Sequence, residues 1–156
     1  MSLAHEALSH DIIGAAIEVH RTLGPGFVEA IYAGALGVEL AQRRIDYQRE
    51  LVVPIRFRGI QVGWHRLDLL IGGRIVVELK AVREFKDVHF AVMRSYLRAI
   101  GLEHGLLLNF AQPTLQVRRV IALRSGLGDP GSSPLRERLE SARDGNSAGS
   151  ATPVKE

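Results

Sequence analysis
Residues 3–23 place apolar side chains at Leu8, Ile12, Ile13, Ala16, Val19 and Leu23, the spacing of one helix face. Ser2 is positioned to cap this helix, and Gly24-Pro25-Gly26 ends it. A second helix is predicted from Phe27 to Arg44, with Ile31, Ala35, Val38 and Leu40 on its buried side. The period then changes. Strands are expected over 46–57, 60–71 and 74–82, the first pair separated by Arg58-Gly59 and the second by Gly72-Gly73. Pro54 cannot donate to a ladder, so the first strand belongs at a sheet edge or carries an irregularity. Helical spacing returns over 87–101 (Val88, Val92, Met93, Tyr96, Leu97, Ile100) and stops at Gly101. Gly105 to Phe110 reads as a buried strand, and Leu115 to Leu123, alternating around Arg118 and Arg119, as the last. Three meandering strands followed by a crossover helix predict an α/β fold of order α-α-β-β-β-α-β-β, a single-domain mixed sheet flanked by helices. After Ser125 the chain turns to Gly, Ser, Pro and charge. Residues 1–125 therefore read as the domain, and 126–156 as a disordered C-terminal tail with room for a short helix at 135–143.

Charge interrupts the apolar framework at one place. Within Asp68-Leu-Leu-Ile-Gly-Gly-Arg-Ile-Val-Val-Glu78-Leu-Lys80, side-chain alternation puts Glu78 and Lys80 on one face of a strand otherwise fit for burial. A three-residue loop, Gly72 to Arg74, pairs Ile71 with Ile75 and so brings Asp68 opposite Glu78. A two-residue loop would send Asp68 to the other face. The first register converges two carboxylates and an ammonium, the minimum set for a magnesium-assisted attack on a phosphodiester. Asp68 and Glu78 would supply metal oxygens, with the backbone carbonyl of Leu79 as a third ligand, and Lys80 would hold the attacking water. The competing reading is an Asp–Lys–Glu ion cluster without metal, which is a poor stabiliser when buried.

Composition narrows the class. At 156 residues and 46% hydrophobic the chain can bury a sizeable core. No apolar run reaches membrane-spanning length, and the first twenty residues carry acids and histidines where a signal peptide would be apolar, so a cytoplasmic location is expected. With no cysteine, disulfides and thiolate metal sites are excluded. A net charge of +3, carried largely by arginine, permits a polyanionic partner without requiring one. The six histidines show no metal-binding spacing; His5, His10, His20 and His104 read as surface or satisfied helix residues.

The ordered motifs Gly26-x-x-Glu29-x-x-Tyr32, Asp68, Glu78-Leu79-Lys80, Ser95-Tyr96-Leu97-Arg98 and Gly105-Leu-Leu-Leu-Asn109-Phe110 resemble those of the GxxExxY proteins, a branch of the PD-(D/E)XK nuclease-like superfamily. The resemblance spans residues 5–123. It implies a core with Asp68 and Glu78-x-Lys80 on adjacent antiparallel strands, a Mg²⁺ or Mn²⁺ cofactor and a nucleic-acid substrate. One position departs: where such proteins usually carry glutamine, four residues before the tyrosine of the Tyr-Leu pair, this chain has Val92. His89, one turn earlier, could substitute in part.

The remaining candidates divide between function and packing. Glu29 either complements the dipole of its own helix or joins the rim of the carboxylate site through water. Tyr32, His89 and Tyr96 are candidate substrate contacts, with packing as the alternative for both tyrosines. Trp64 and Arg66 share the face of Asp68 if strand alternation holds, and could meet a base and a phosphate. Arg83, Lys86, Arg94 and Arg98 are candidates for a phosphate rim, and Asn109 for satisfying a turn. Three functions remain open: a metal-dependent nuclease, a non-catalytic binding or adaptor module on the same fold, and a homodimer whose two sites face opposite strands of a duplex.

Overall fold
In a computed structural model, residues 3–123 are described. The Ser2 cap and the expectations for 126–156 lie outside them. Helices α1 (Leu3–Leu23) and α2 (Glu29–Gln42) precede the hairpins of β1 (Tyr47–Phe57), β2 (Ile60–Ile71) and β3 (Ile75–Lys80). Helix α3 (Asp87–Ile100) then crosses to β4 (His104–Asn109), and β5 (Gln116–Ile121) returns beside it. The sheet runs β1-β2-β3-β4-β5, with β3–β4 parallel and the other pairs antiparallel. This is the mixed α/β sheet that the element order predicts, with β3 at its centre.

Alternation assigns each face of β3 a different layer. Val77 and Leu79 join Leu69, Ile71, Leu106, Leu108 and Phe110 in the core under α1 and α2. The opposite face carries Val76, Glu78 and Lys80 toward α3. There Gly105 admits the helix so closely that an added Cβ would meet the Met93 sulfur at 2.5 Å. Helix α3 ends as its sequence requires: Gly101 takes φ 71° and its N–H bonds the Leu97 carbonyl.

Of the side that its apolar spacing suggests, helix α2 buries Leu40 and half-buries Ala35 but turns Ile31 and Val38 outward. Tyr32, Leu36 and Leu40 are fully buried, whereas Ile31 and Val38 are exposed. The rotation follows from two contacts. Gly37 lies against the Tyr47 ring, and Tyr32 stacks on Phe110 with centroids 4.4 Å apart. The larger aromatic area outweighs the aliphatic residues one position away.

Pro54 lies on an edge strand, and the β1–β2 register shifts between Ile55 and Arg56, so both of its expected accommodations are present. The three-residue loop is also present. Ile71 pairs with Ile75, Gly72 and Gly73 both take positive φ, and the Arg74 N–H bonds the Ile71 carbonyl.

Candidate active site
The regular β2–β3 ladder runs from Ile71/Ile75 to Leu69/Val77. At the next pair, two carboxylates take over the bonding. The Asp68 N–H donates to Glu78 Oε1 at 2.9 Å, and the Leu79 N–H donates to Asp68 Oδ2 at 2.9 Å. The side chains thus wedge into the gap where two strands part, locked by main-chain donors. In an extended strand the N–H and C=O of one residue point to the same edge. The Leu79 carbonyl therefore faces this gap as well.

Burial makes the pair electrostatically costly. Glu78 is 4% exposed, and desolvation followed by the charge of Asp68 pushes its carboxyl up to about 8. The Lys80 ammonium pulls the other way but does not cancel these effects. Among the described residues, no ion pair within 4.0 Å joins Lys80 to either carboxylate. The neutralised Asp–Lys–Glu cluster is therefore not formed.

Glu29 reaches this end of β3 from the other side of the sheet, where its Oε1 accepts the Ala81 N–H at 3.3 Å. Successive odd-numbered amides on one edge of β3 are thus held by Asp68 and then Glu29. The three acids do not close on one point: among the described residues no group of three His, Cys, Asp or Glu side chains is arranged to hold an ion. Tyr32 is fully buried, and its hydroxyl donates to the Gly24 carbonyl at 2.6 Å while accepting the Phe27 N–H. The structure does not bring it to a substrate-facing surface.

Helix α3 forms the opposite wall. His89 lies close enough to Lys80 for that charge, after desolvation, to lower its pKa. Its Nδ1 accepts the Lys86 N–H at 3.0 Å, so in the neutral ring the proton resides on Nε2. Tyr96 is held neutral, its pKa raised to about 12 by burial and by the nearby Glu78 and Asp68. Val92 lies between these residues along the helix and is partly exposed. Arg83, Lys86 and Arg98 are exposed, and Arg94 is half-buried.

One sequence expectation needs correction. Trp64 and Arg66 do not share the face of Asp68. His65 occupies that side instead, with its ring 4.6 Å from Tyr96 and its Nε2 3.2 Å from Ser95 Oγ. The Ser95 hydroxyl donates to the Val92 carbonyl, so His65 must donate to Ser95. Alternation breaks between Leu67 and Asp68. There Glu50 takes φ 53°, and the pairs Arg49–Leu69 and Leu51–Leu67 flank an unmatched Glu50 and Asp68. Trp64 is 68% exposed, and Arg66 pairs with Glu50. No sequence signal marked His65, because a strict two-residue period placed it on the far face.

Asn109 supports the site from β4. Fully buried, it accepts the Val82 N–H at 3.1 Å and donates to the Val82 carbonyl at 2.7 Å, fixing the chain just past Lys80.

Residues 6–120 match the family model for the PD-(D/E)XK nuclease superfamily, and the chain belongs to that superfamily. Its nucleases act on nucleic acid and generally use divalent metals. A solved structure titled "Crystal structure of SSO0001" aligns at 20% identity with a TM-score of 0.45, covering 72% of this chain and 55% of that one. The chain thus spans about half the length of that protein. A search of the curated proteins returns no match. Among the described residues no helix is long and apolar enough to cross a membrane.

Proposed function
We propose that this protein is a divalent-metal-dependent nuclease of the GxxExxY branch, hydrolysing phosphodiester bonds with Asp68, Glu78 and Lys80 at its centre. The observation that carries this reading is the Asp68–Glu78 contact, with Glu78 buried and Asp68 half-buried, which no ion pair among the described residues neutralises. Such a pair costs stability unless something positive joins it. Its donors are two carboxylates and the Leu79 carbonyl, all hard oxygens, and this set suits Mg²⁺ or Mn²⁺, which accept one or two carboxylates and keep several waters.

When bound, the ion supplies an acidified water and a positive clamp on the scissile phosphate. The chain supplies the rest. Glu78 gives up its proton on loading, and Asp68 stays aligned by the Leu79 N–H. Lys80 holds the attacking water and offsets charge on the phosphate. Glu29 fixes the end of β3 and would help hold the ion through water. His89 Nε2–H and the neutral Tyr96 hydroxyl provide donors for phosphate oxygens, supporting both as substrate contacts.

The test is cleavage of end-labelled DNA and RNA in Mg²⁺ and in Mn²⁺. Wild type should cut one or both. Glu78→Gln should abolish cleavage and metal binding together. Lys80→Ala should suppress cleavage about 100-fold or more while leaving metal affinity equal or tighter, since a nearby cation no longer opposes the ion. Absence of both cleavage and any metal-dependent shift in melting would replace this reading with a non-catalytic binding module. Val92 at the usual glutamine position favours that second reading.

A further inference from the structure
The β1–β2 hairpin is open to solvent around its tip. Residues 56–62 are exposed on both strands, and the hairpin presents Val52, Phe57, Ile60, Val62 and Trp64 to solvent. So many exposed apolar side chains on one hairpin make it a candidate interaction site. Its charge is one-sided: residues 51–67 contain Arg56, Arg58 and Arg66 and no acid. Arg66 is spent on Glu50, whereas Arg56 donates to the Gly59 carbonyl and Arg58 lies over the Phe57 ring at 5.3 Å. The tip is a two-residue turn with Arg58 at φ 50° and Gly59 at φ 78°. Asparagine, aspartate or glycine is the usual choice at such a position, so this chain holds a cation where one is unfavourable.

We propose that this hairpin binds an unpaired stretch of nucleic acid, with Trp64 stacking on a base and Arg56 and Arg58 meeting phosphates. The proposal rests on the nuclease reading and names its substrate class. Aromatic platforms beside arginines bind single strands without sequence preference, because every base has a π-face. Trp64 stands four residues before Asp68 on β2, about 13 Å along the strand but on the opposite face, so a bound strand would reach the carboxylates only by passing around the hairpin. A second copy of the chain is the less suitable occupant, since self-association would set the same unopposed arginines against each other.

Trp64 is the chain's sole tryptophan, so intrinsic emission reports on this face alone. The experiment uses the full chain carrying Glu78→Gln, in EDTA, titrated with oligo(dT) of about 20 nucleotides. Emission should be quenched, with an affinity that falls as salt rises. The double variant Arg56→Ala/Arg58→Ala should bind about tenfold more weakly and reduce the log–log salt slope by roughly 1.4. Trp64→Ala, read by anisotropy of labelled oligo(dT), should also lose about tenfold. Unchanged affinity in both variants would overturn the proposal. So would a concentration-dependent blue shift of Trp64 without nucleic acid, accompanied by dimer in sedimentation. Metal and turnover are absent, so failure here leaves cleavage by wild type intact, and loss of cleavage leaves this binding intact.

Discussion
Glu78 concentrates the chemistry of this molecule in one titratable group. Its folded-state pKa, raised to about 8 from 4.5, means that the fold favours the protonated form. That stabilisation is fully present below pH 4.5 and is lost as pH rises through about 8. Metal-free protein should therefore lose roughly 3–5 kcal/mol across this window, measurable by urea melts from pH 4 to 9. Glu78→Gln should remove the slope, because the amide is neutral throughout. A slope that survives the substitution would place the titration elsewhere. On the proposed reading metal loading would carry the opposite sign, releasing the Glu78 proton, so affinity for Mg²⁺ should increase between pH 6 and 8.5.

At the scale of elements, the G-x-x-E-x-x-Y motif reads as a device for starting α2 in the right place. Gly26 takes φ 115°, a conformation that side chains resist. The Tyr32 hydroxyl then ties the Gly24 carbonyl to the Phe27 N–H, and the helix begins where Glu29 can reach the Ala81 N–H. Tyr32→Phe keeps the Phe110 stack but leaves a donor and an acceptor of the loop unpaired. It should cost about 1–3 kcal/mol in denaturant melts. Because the loop positions Glu29, it should also weaken Mg²⁺ binding, although Tyr32 touches neither ion nor substrate. Unchanged metal affinity would confine Tyr32 to packing.

For the whole molecule, the parting of β2 and β3 replaces ladder bonds with two carboxylates held by main-chain N–H groups, and on the proposed reading that gap takes an ion. Mg²⁺ at 100 times its Kd should return about 2.7 kcal/mol of stability by mass action. The shift in melting temperature should reverse with EDTA and be absent in Glu78→Gln. A shift of equal size in the variant would locate the ion elsewhere.

The order of elements, the three-residue Gly72–Arg74 loop and the facing of Asp68 and Glu78 were all legible in the sequence. They depend on local periodicity and turn chemistry, which act between near neighbours. That α2 turns Ile31 and Val38 outward was not legible, because Tyr32 and Gly37 are chosen by Phe110 and Tyr47, far away in the chain. The placement of His65 beside Tyr96, and of Trp64 and Arg66 on the opposite face, also required the tertiary structure. The irregularity at Glu50 and Asp68 resets alternation, and it arises where Asp68 leaves the ladder to bond β3 through its side chain. Sequence determined that Asp68 and Glu78 meet; packing decided that Lys80 makes no ion pair with them and which neighbours surround them, because burial and strand divergence are set by contacts that no local pattern encodes.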